Sequence, residues 1–359
     1  MGPKQPAPRD RHGRPLGVLR LSLTARCNLA CPYCLPDGRE PPGLLNQAQR
    51  LAVVEAAVAL GARRLRLTGG EPLLHPGLEA LIAAAAPLRS PSALKEPPAP
   101  GLREISLTSN GALLTAEWAR ALRTAGLDRL TLSLDGASGA SVAAMAGLAG
   151  GDAAGEALLA KVLAAIDHAR DAGFDPARGR LKLNAVIQRG RNDDQLLPLA
   201  ALARERGVEL RLIEFMDVGN RNGWRPEAVL TAAEMVERLG ARWPLEPLGR
   251  NPHGTASRWR YRDGGGHLAV VASVSLPFCG DCNRLRVTAD GIAYTCLFAA
   301  PASGLDLRPW LAPTTPPAEL REAISRLWQG RADRWSEERL AAWSAGAPAA
   351  HAEMAYLGG

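Results

Sequence analysis

Val18-Leu-Arg-Leu-Ser-Leu-Thr-Ala-Arg-Cys27-Asn-Leu-Ala-Cys31-Pro-Tyr-Cys34 joins an apolar run to a loop with three cysteines in eight residues. Thiolates select soft metals, chiefly zinc, copper(I) and iron–sulfur clusters. A structural zinc or a fully ligated cubane takes four protein ligands. Cys27, Cys31 and Cys34 have no fourth cysteine nearby, so one metal position is left open, and an open position is where chemistry happens.

Outward from this loop, strand and helix patterns alternate. Strands are predicted at 18–23, 64–68, 102–108, 129–134, 181–187 and 208–214, and helices at 46–60, 77–86, 115–125, 156–172 and 193–206. Residues 136–155, rich in Gly and Ala, read as a loop. Six strand–helix steps in a row specify a parallel sheet with right-handed crossovers. Nearly every strand ends in polar or glycine chemistry: the cysteine loop, Gly69-Gly70-Glu71-Pro72, Ser109-Asn110-Gly111, Asp135, and Glu214-Phe-Met-Asp-Val-Gly219. In a barrel all strand ends converge on one site, whereas an open sheet gathers them at one switch point. The expected fold is therefore α/β, a partial (β/α)6 TIM-like barrel with a C-terminal α+β extension. The divisions are a polar arm at 1–15, the barrel at 16–222 and a C-terminal part at 223–359. Proline-rich stretches at 87–101 and 301–317 read as surface insertions, and the residues after a helix at 318–329 as a polar tail.

The chain has 359 residues, 47% of them hydrophobic, and a net charge of +7. That charge suits an anionic partner, but arginine is spread throughout, and no basic stretch is interleaved with aromatics as nucleic-acid surfaces require. Residues 1–17 lack the apolar core of a secretory signal, and no segment has 18 uninterrupted apolar residues. A cytoplasmic protein with reduced thiols and no membrane partner is expected. All six cysteines fall into two triplets, the second being Cys279, Cys282 and Cys296, which reads as two metal sites rather than disulfides.

Cys-x3-Cys-x2-Cys after a first strand, with Gly-Gly-Glu-Pro after a second, resembles the radical S-adenosylmethionine (SAM) enzymes. Phe278-Cys279-Gly-Asp-Cys282-Asn-Arg284-Leu-Arg286-Val-Thr288, then Gly291, Cys296-Leu-Phe298 and a terminal Gly358-Gly359, resembles the GTP 3′,8-cyclase family. The resemblance runs from about residue 16 to residue 359. It implies two [4Fe-4S] clusters, the first on Cys27, Cys31 and Cys34, the second on Cys279, Cys282 and Cys296. It further implies SAM contacts at Tyr33, Gly70, Ser133 and Met216, and GTP contacts at Arg20, Arg66, Thr108, Lys182, Arg284 and Arg286. Gly358 and Gly359 match the family's catalytic tail.

The implied reaction is that of a lyase. A 5′-deoxyadenosyl radical takes the 3′ hydrogen of GTP, and the ribose radical attacks C8 of guanine. The product is (8S)-3′,8-cyclo-7,8-dihydroguanosine 5′-triphosphate, the first step of molybdenum cofactor biosynthesis. An electron donor and the next enzyme of that pathway are implied partners, and a homodimer is compatible. Arg20, Arg66 and Lys182 sit on predicted strands, where an inward charge needs a partner, and a triphosphate is a suitable one. Asn110, Asp217 and Asn220 read as turn residues, and the six histidines show no ligand spacing. Two other readings are a peptide-modifying radical SAM enzyme with an auxiliary cluster, and a non-catalytic iron–sulfur or metal-binding protein.

Overall fold

The computed structural model describes residues 7–36, 38–90, 101–344 and 350–358. The centre of the proline-rich insertion at 87–101, and Gly359, lie outside the described residues.

Strand β1 (Val18–Ser22) is followed by α1 (Gln47–Ala59), β2 (Arg64–Thr68), α2 (Leu78–Ala85), β3 (Glu104–Ser109), α3 (Ala116–Ala125) and β4 (Arg129–Ser133). Then come α4 (Gly139–Ala146), α5 (Gly151–Asp171), β5 (Leu181–Ile187), α6 (Leu196–Glu205), β6 (Glu209–Glu214) and α7 (Ala232–Arg242). The chain continues through β7 (Leu245–Arg250), β8 (Ser257–Tyr261), β9 (His267–Val271), β10 (Arg284–Val287), β11 (Ile292–Tyr294) and β12 (Leu305–Asp306). Helices α8 (Pro317–Gly330), α9 (Trp335–Ser344) and α10 (Met354–Leu357) close it. Helix starts follow local chemistry: Asn46 and Thr231 make capping boxes with Gln49 and Glu234, and Thr115 caps α3.

The expected α/β partial barrel is present. Strands β1 to β6 pair in sequence order, all parallel. The C-terminal strands lengthen the same sheet: β10 pairs parallel to β1, and β9 parallel to β6. Alternate residues face outward into one core with the helices; Leu19, Leu21, Leu65, Leu67, Ile105, Leu107, Leu130, Leu132, Leu183 and Leu212 are all buried there. The other alternate set, which includes Arg20, Arg66, Thr108, Thr131, Asn184 and Arg211, faces the lumen.

Two expectations need correction. Residues 136–155 are largely helical, not loop: Ser138 caps α4, Gly147 ends it in the left-handed region, and α5 starts at Gly151. Small residues lack an amphipathic stripe, yet they let α4 and α5 pack closely; a Cβ on Gly155 would come 1.8 Å from the Gly139 carbonyl. The polar tail is also structured, with α9 and α10 inside it and Met354, Ala355 and Leu357 buried.

Candidate active site

β10 and β11 fix the geometry of the second triplet. Because β10 runs parallel to β1, Cys282 sits just below the N-terminal end of the barrel strands. β11 returns antiparallel, pairing Tyr294 with Arg286, so Cys296 lies on the same lower rim. The segment 272–283 therefore descends from the top of β9 to the foot of β10 and delivers Cys279 and Cys282 to the bottom. Cys27, Cys31 and Cys34 follow β1 at the opposite end. One cavity, partly open to solvent, is lined by all six cysteines.

At the upper end, the Gly-Gly-Glu-Pro turn is locked onto the cysteine loop. Gly70 N donates to Thr24 O at 2.7 Å and Glu71 N to Arg26 O at 2.8 Å. A Cβ on Gly70 would lie 2.1 Å from Arg26 O, so glycine is required here by the cysteine loop itself. Glu71 is fully buried and accepts from Leu73 N (3.0 Å), Ser109 Oγ (2.8 Å) and Asn110 N (2.7 Å). Burial pushes its carboxyl up to about 7 against those hydrogen bonds. Tyr33 Oη donates to Asp135 Oδ2 at 2.7 Å, and Val186 N donates to Oδ1 at 2.7 Å. Burial raises Asp135 to about 6. Ser133 and Met216 complete this end, where Met216, Tyr33 and Cys34 all pack against the cluster of Val218, Phe298 and Met354.

Between the triplets the lumen is strongly cationic. Register aligns Arg20 with Arg286 on one side and Arg66 on the other. Arg129, Arg211 and Arg284 join them around the cavity. Burial, then the neighbouring guanidiniums, depresses Arg20 and Arg66 well below the usual range, and Arg211 and Arg286 to about 10. Glu104 pairs with Arg129 at 2.8 Å, but Arg66 Nε is buried without a hydrogen-bond partner. A zone so rich in guanidiniums is built for a polyanion.

The carboxyl-terminal segment enters this cationic zone. Gly358 O accepts from Arg20 Nη2 at 2.8 Å and Thr68 Oγ1 at 3.0 Å. Asn220, read as a turn residue, holds the segment: its Nδ2 donates to His351 O at 2.7 Å and its N to Glu353 Oε1 at 3.1 Å. Asp217 likewise does more than turn the chain, accepting from Arg339 Nε at 2.7 Å and Trp335 Nε1 at 3.1 Å. Asn110 Nδ2 lies 3.8 Å from Cys27 Sγ.

Of the residues singled out in the sequence, Arg20, Tyr33, Arg66, Gly70, Thr108, Ser133, Met216, Arg284, Arg286 and the six cysteines line the cavity. Lys182 does not; it is ion-paired at 2.6 Å to Glu209, which also holds Arg258 at 3.1 Å. Sequence reasoning passed over Arg129, Arg211 and Asn184. The signal was there: they sit on the same alternation as Thr131, Ile213 and Val186, which also face the cavity.

All six cysteines are free thiols. A tetrahedral zinc with bonds of 2.3 Å would draw its thiolates to about 3.8 Å of one another. Among the described residues, no three His, Cys, Asp or Glu side chains are arranged to hold a single ion. A cubane instead takes one thiolate at each of separate iron corners, which suits triplets of this kind and leaves a corner for a small molecule. Burial pushes Cys34 and Cys296 up to about 12, so most of these thiols stay protonated until a metal deprotonates them.

Comparison with known proteins agrees. Residues 21–203 match the Radical SAM superfamily and 208–337 match Molybdenum Cofactor Synthesis C. A GTP 3′,8-cyclase of Synechococcus sp. (strain CC9605) is 62% identical, with 98% of each chain covered. One from Xanthomonas campestris pv. campestris (strain B100) is 46% identical, over 98% of this chain and 97% of the other. Streptococcus suis SuiB bound to S-adenosylmethionine shares the fold at TM-score 0.57 and 12% identity, covering 80% of this chain. The chain spans 62% of SuiB's length. The fold and the upper triplet define a radical SAM enzyme, with a [4Fe-4S] cluster and SAM as cofactors, and the C-terminal part fits a second cluster. Within that superfamily, the chain belongs to the GTP 3′,8-cyclase family. The two other readings of the sequence gain no support.

Proposed function

We propose that this chain converts GTP to (8S)-3′,8-cyclo-7,8-dihydroguanosine 5′-triphosphate, with SAM at the upper triplet and GTP between the arginines and the lower triplet. The observation that carries the reading is a belt of guanidiniums, with Arg20 and Arg286 buried, lying between two incomplete thiol triplets in one cavity. Cys27, Cys31 and Cys34 would hold the upper cluster, and Cys279, Cys282 and Cys296 the lower one. When bound, the upper cluster and SAM together supply a carbon radical able to take a hydrogen atom from the ribose.

The chain's own residues bind, orient and exclude water. Gly70, Tyr33, Ser133 and Met216 surround the place assigned to SAM. Arg20, Arg66, Thr108, Arg284 and Arg286 are assigned to GTP, and Arg129 and Arg211 join them because they face the same space. Guanidinium forks suit phosphate oxygens. Lys182 takes part only by exchanging Glu209 for phosphate. Gly358, held by Arg20 and Thr68, is assigned to the tail beside GTP; Gly359, assigned with it, lies outside the described residues. Leu29, Val142, Met145, Leu158 and Val162 give the upper cavity an apolar wall that keeps the radical from water.

We also assign the protein to the cytoplasm, with an electron donor, the next enzyme of the pathway and a second copy of the chain as partners. Among the described residues no helix is long and apolar enough to cross a membrane.

Anaerobic reconstitution tests the proposal. About eight irons per chain, with GTP-dependent 5′-deoxyadenosine and a cyclised nucleotide, are expected from two cubanes. SAM cleavage without a GTP product would favour peptide modification, and zinc without cleavage would overturn the cluster assignment.

A further inference from the structure

Arg331, at the end of α8, points at the lower triplet and is 4% exposed. Its Nη2 donates to Cys282 Sγ at 3.2 Å and its Nη1 to Cys282 O at 2.7 Å. Its guanidinium lies over the Trp328 ring, 4.8 Å from the centroid, and is gripped by Asp333 through Nε at 3.0 Å and Nη2 at 2.9 Å. Asp333 in turn accepts from Thr295 Oγ1 at 2.7 Å, next to Cys296. From the amino-terminal arm, Arg14 Nη1 donates to Cys279 O at 2.8 Å and Asp333 O at 3.1 Å. Asp10, with a fully buried side chain, pairs with Arg14 and lies 3.7 Å from Arg331 Nη1. One buried network thus reaches the backbone, sulfur or neighbour of every cysteine in the triplet.

Such a network is more than packing needs. A buried ion network contributes little net stability over apolar packing of the same volume. A neutral thiol is a poor acceptor, whereas a thiolate turns the same N–H···S contact into a charge-assisted bond. Hydrogen bonds and positive charge at cluster sulfurs stabilise the reduced state and raise the reduction potential. At the upper triplet the contacts differ: Cys27 Sγ meets the neutral amide of Asn110 at 3.8 Å, Cys31 meets the Tyr33 hydroxyl, and Arg221, which donates to Leu35 O at 2.7 Å, acts on Cys34 through its charge.

We propose that Arg331 is a positioning residue of the second cluster, orienting Cys282 and raising that cluster's reduction potential. Asp10, Arg14 and Asp333 hold the guanidinium in place, which makes the amino-terminal arm part of the cluster site. The inference rests on the assignment of a cluster to the lower triplet, not on the identity of the substrate.

The test uses the full chain with Cys27, Cys31 and Cys34 replaced by Ala, so that bound iron reports the lower site alone. Iron analysis and a potentiometric titration followed by electron paramagnetic resonance are run without GTP or SAM. Against this background Arg331→Met removes charge and donor, Arg331→Gln removes the charge, and Arg331→Lys keeps it. The expected order of potentials is Met lowest, then Gln, then Lys, then the parent. If the Met variant loses its cluster, the Gln and Lys variants still give the order. Unchanged or raised potentials in loaded variants would overturn the inference while leaving the cluster assignment standing. Loss of iron from all three, with the fold intact by circular dichroism, would make Arg331 an assembly residue and overturn the tuning. Failure of the parent to bind about four irons, one cubane's worth, would overturn the cluster assignment and this inference together.

Discussion

Arg20 and Gly358 stand 338 positions apart in sequence, yet Arg20 Nη2 donates to the Gly358 carbonyl at 2.8 Å. The first barrel strand therefore holds the end of the chain, and the same arginine faces the cavity assigned to GTP. On that assignment, binding the substrate and placing the tail would be coupled through one guanidinium.

Gly358→Ala should uncouple them. Gly358 has a φ of +72°, and a Cβ there would lie 2.6 Å from Thr68 Cγ2. The left-handed conformation alone costs an alanine about 1–2 kcal/mol. Turnover of GTP should fall about tenfold or more while thermal stability changes little, read by product chromatography and calorimetry. Full turnover would show that the docked position of the tail is not the working one.

Arg66 offers a two-sided measurement. Its Nε is buried and unpartnered, a cost in the unliganded protein that a bound polyanion would offset. Arg66→Met should leave the unliganded chain equally or more stable and weaken GTP binding by about 2–5 kcal/mol. A destabilised chain with unchanged affinity would place Arg66 in the scaffold instead.

Glu71 predicts a pH dependence. Its carboxyl is raised from 4.5 to about 7 in the fold, so the folded state favours the protonated form. The associated stability is fully present below pH 4.5 and is lost as pH rises through about 7, a change of about 3 kcal/mol. Urea unfolding of the metal-free chain from pH 5 to 8 should show this decline, and Glu71→Gln should flatten it. An equal slope in both proteins would assign the dependence elsewhere.

Asp217 anchors α9 through Arg339, whose side chain is 1% exposed and donates to Asp217 at 2.7 Å. Asp217→Ala leaves that guanidinium buried without its counter-ion, so unfolding should become easier by about 3–5 kcal/mol. Because Asn220 on the same loop holds His351 and Glu353, protease cleavage in the carboxyl-terminal segment should also accelerate. A loss below about 1 kcal/mol would mean that water reaches Arg339.

Local signals carried the sequence reading wherever physics is local. The strand at 64–68 and the one at 181–187 were read to the residue, because alternating apolar and polar positions end in glycine or a polar turn. Thr115 was legible as a cap for the same reason. The stretch 136–155 was not, since alanine and glycine carry no amphipathic stripe and α4 is held by its packing on α5. Lys182 shows the limit in the site: its place on the lumen-facing alternation was readable, but its pairing with Glu209 depends on two strands lying side by side.

By itself, then, the sequence determined the barrel, the two thiol triplets and the family, because periodicity, spacing and motif are properties of short stretches. Only the tertiary structure decided that the triplets face each other along one lumen, that arginines from four of the first six strands and from β10 crowd between them, and that the described terminal segments close the site. Those are contacts between residues tens to hundreds of positions apart. They exist only because β9 and β10 pair with opposite edges of the barrel and the loop between them spans its full height.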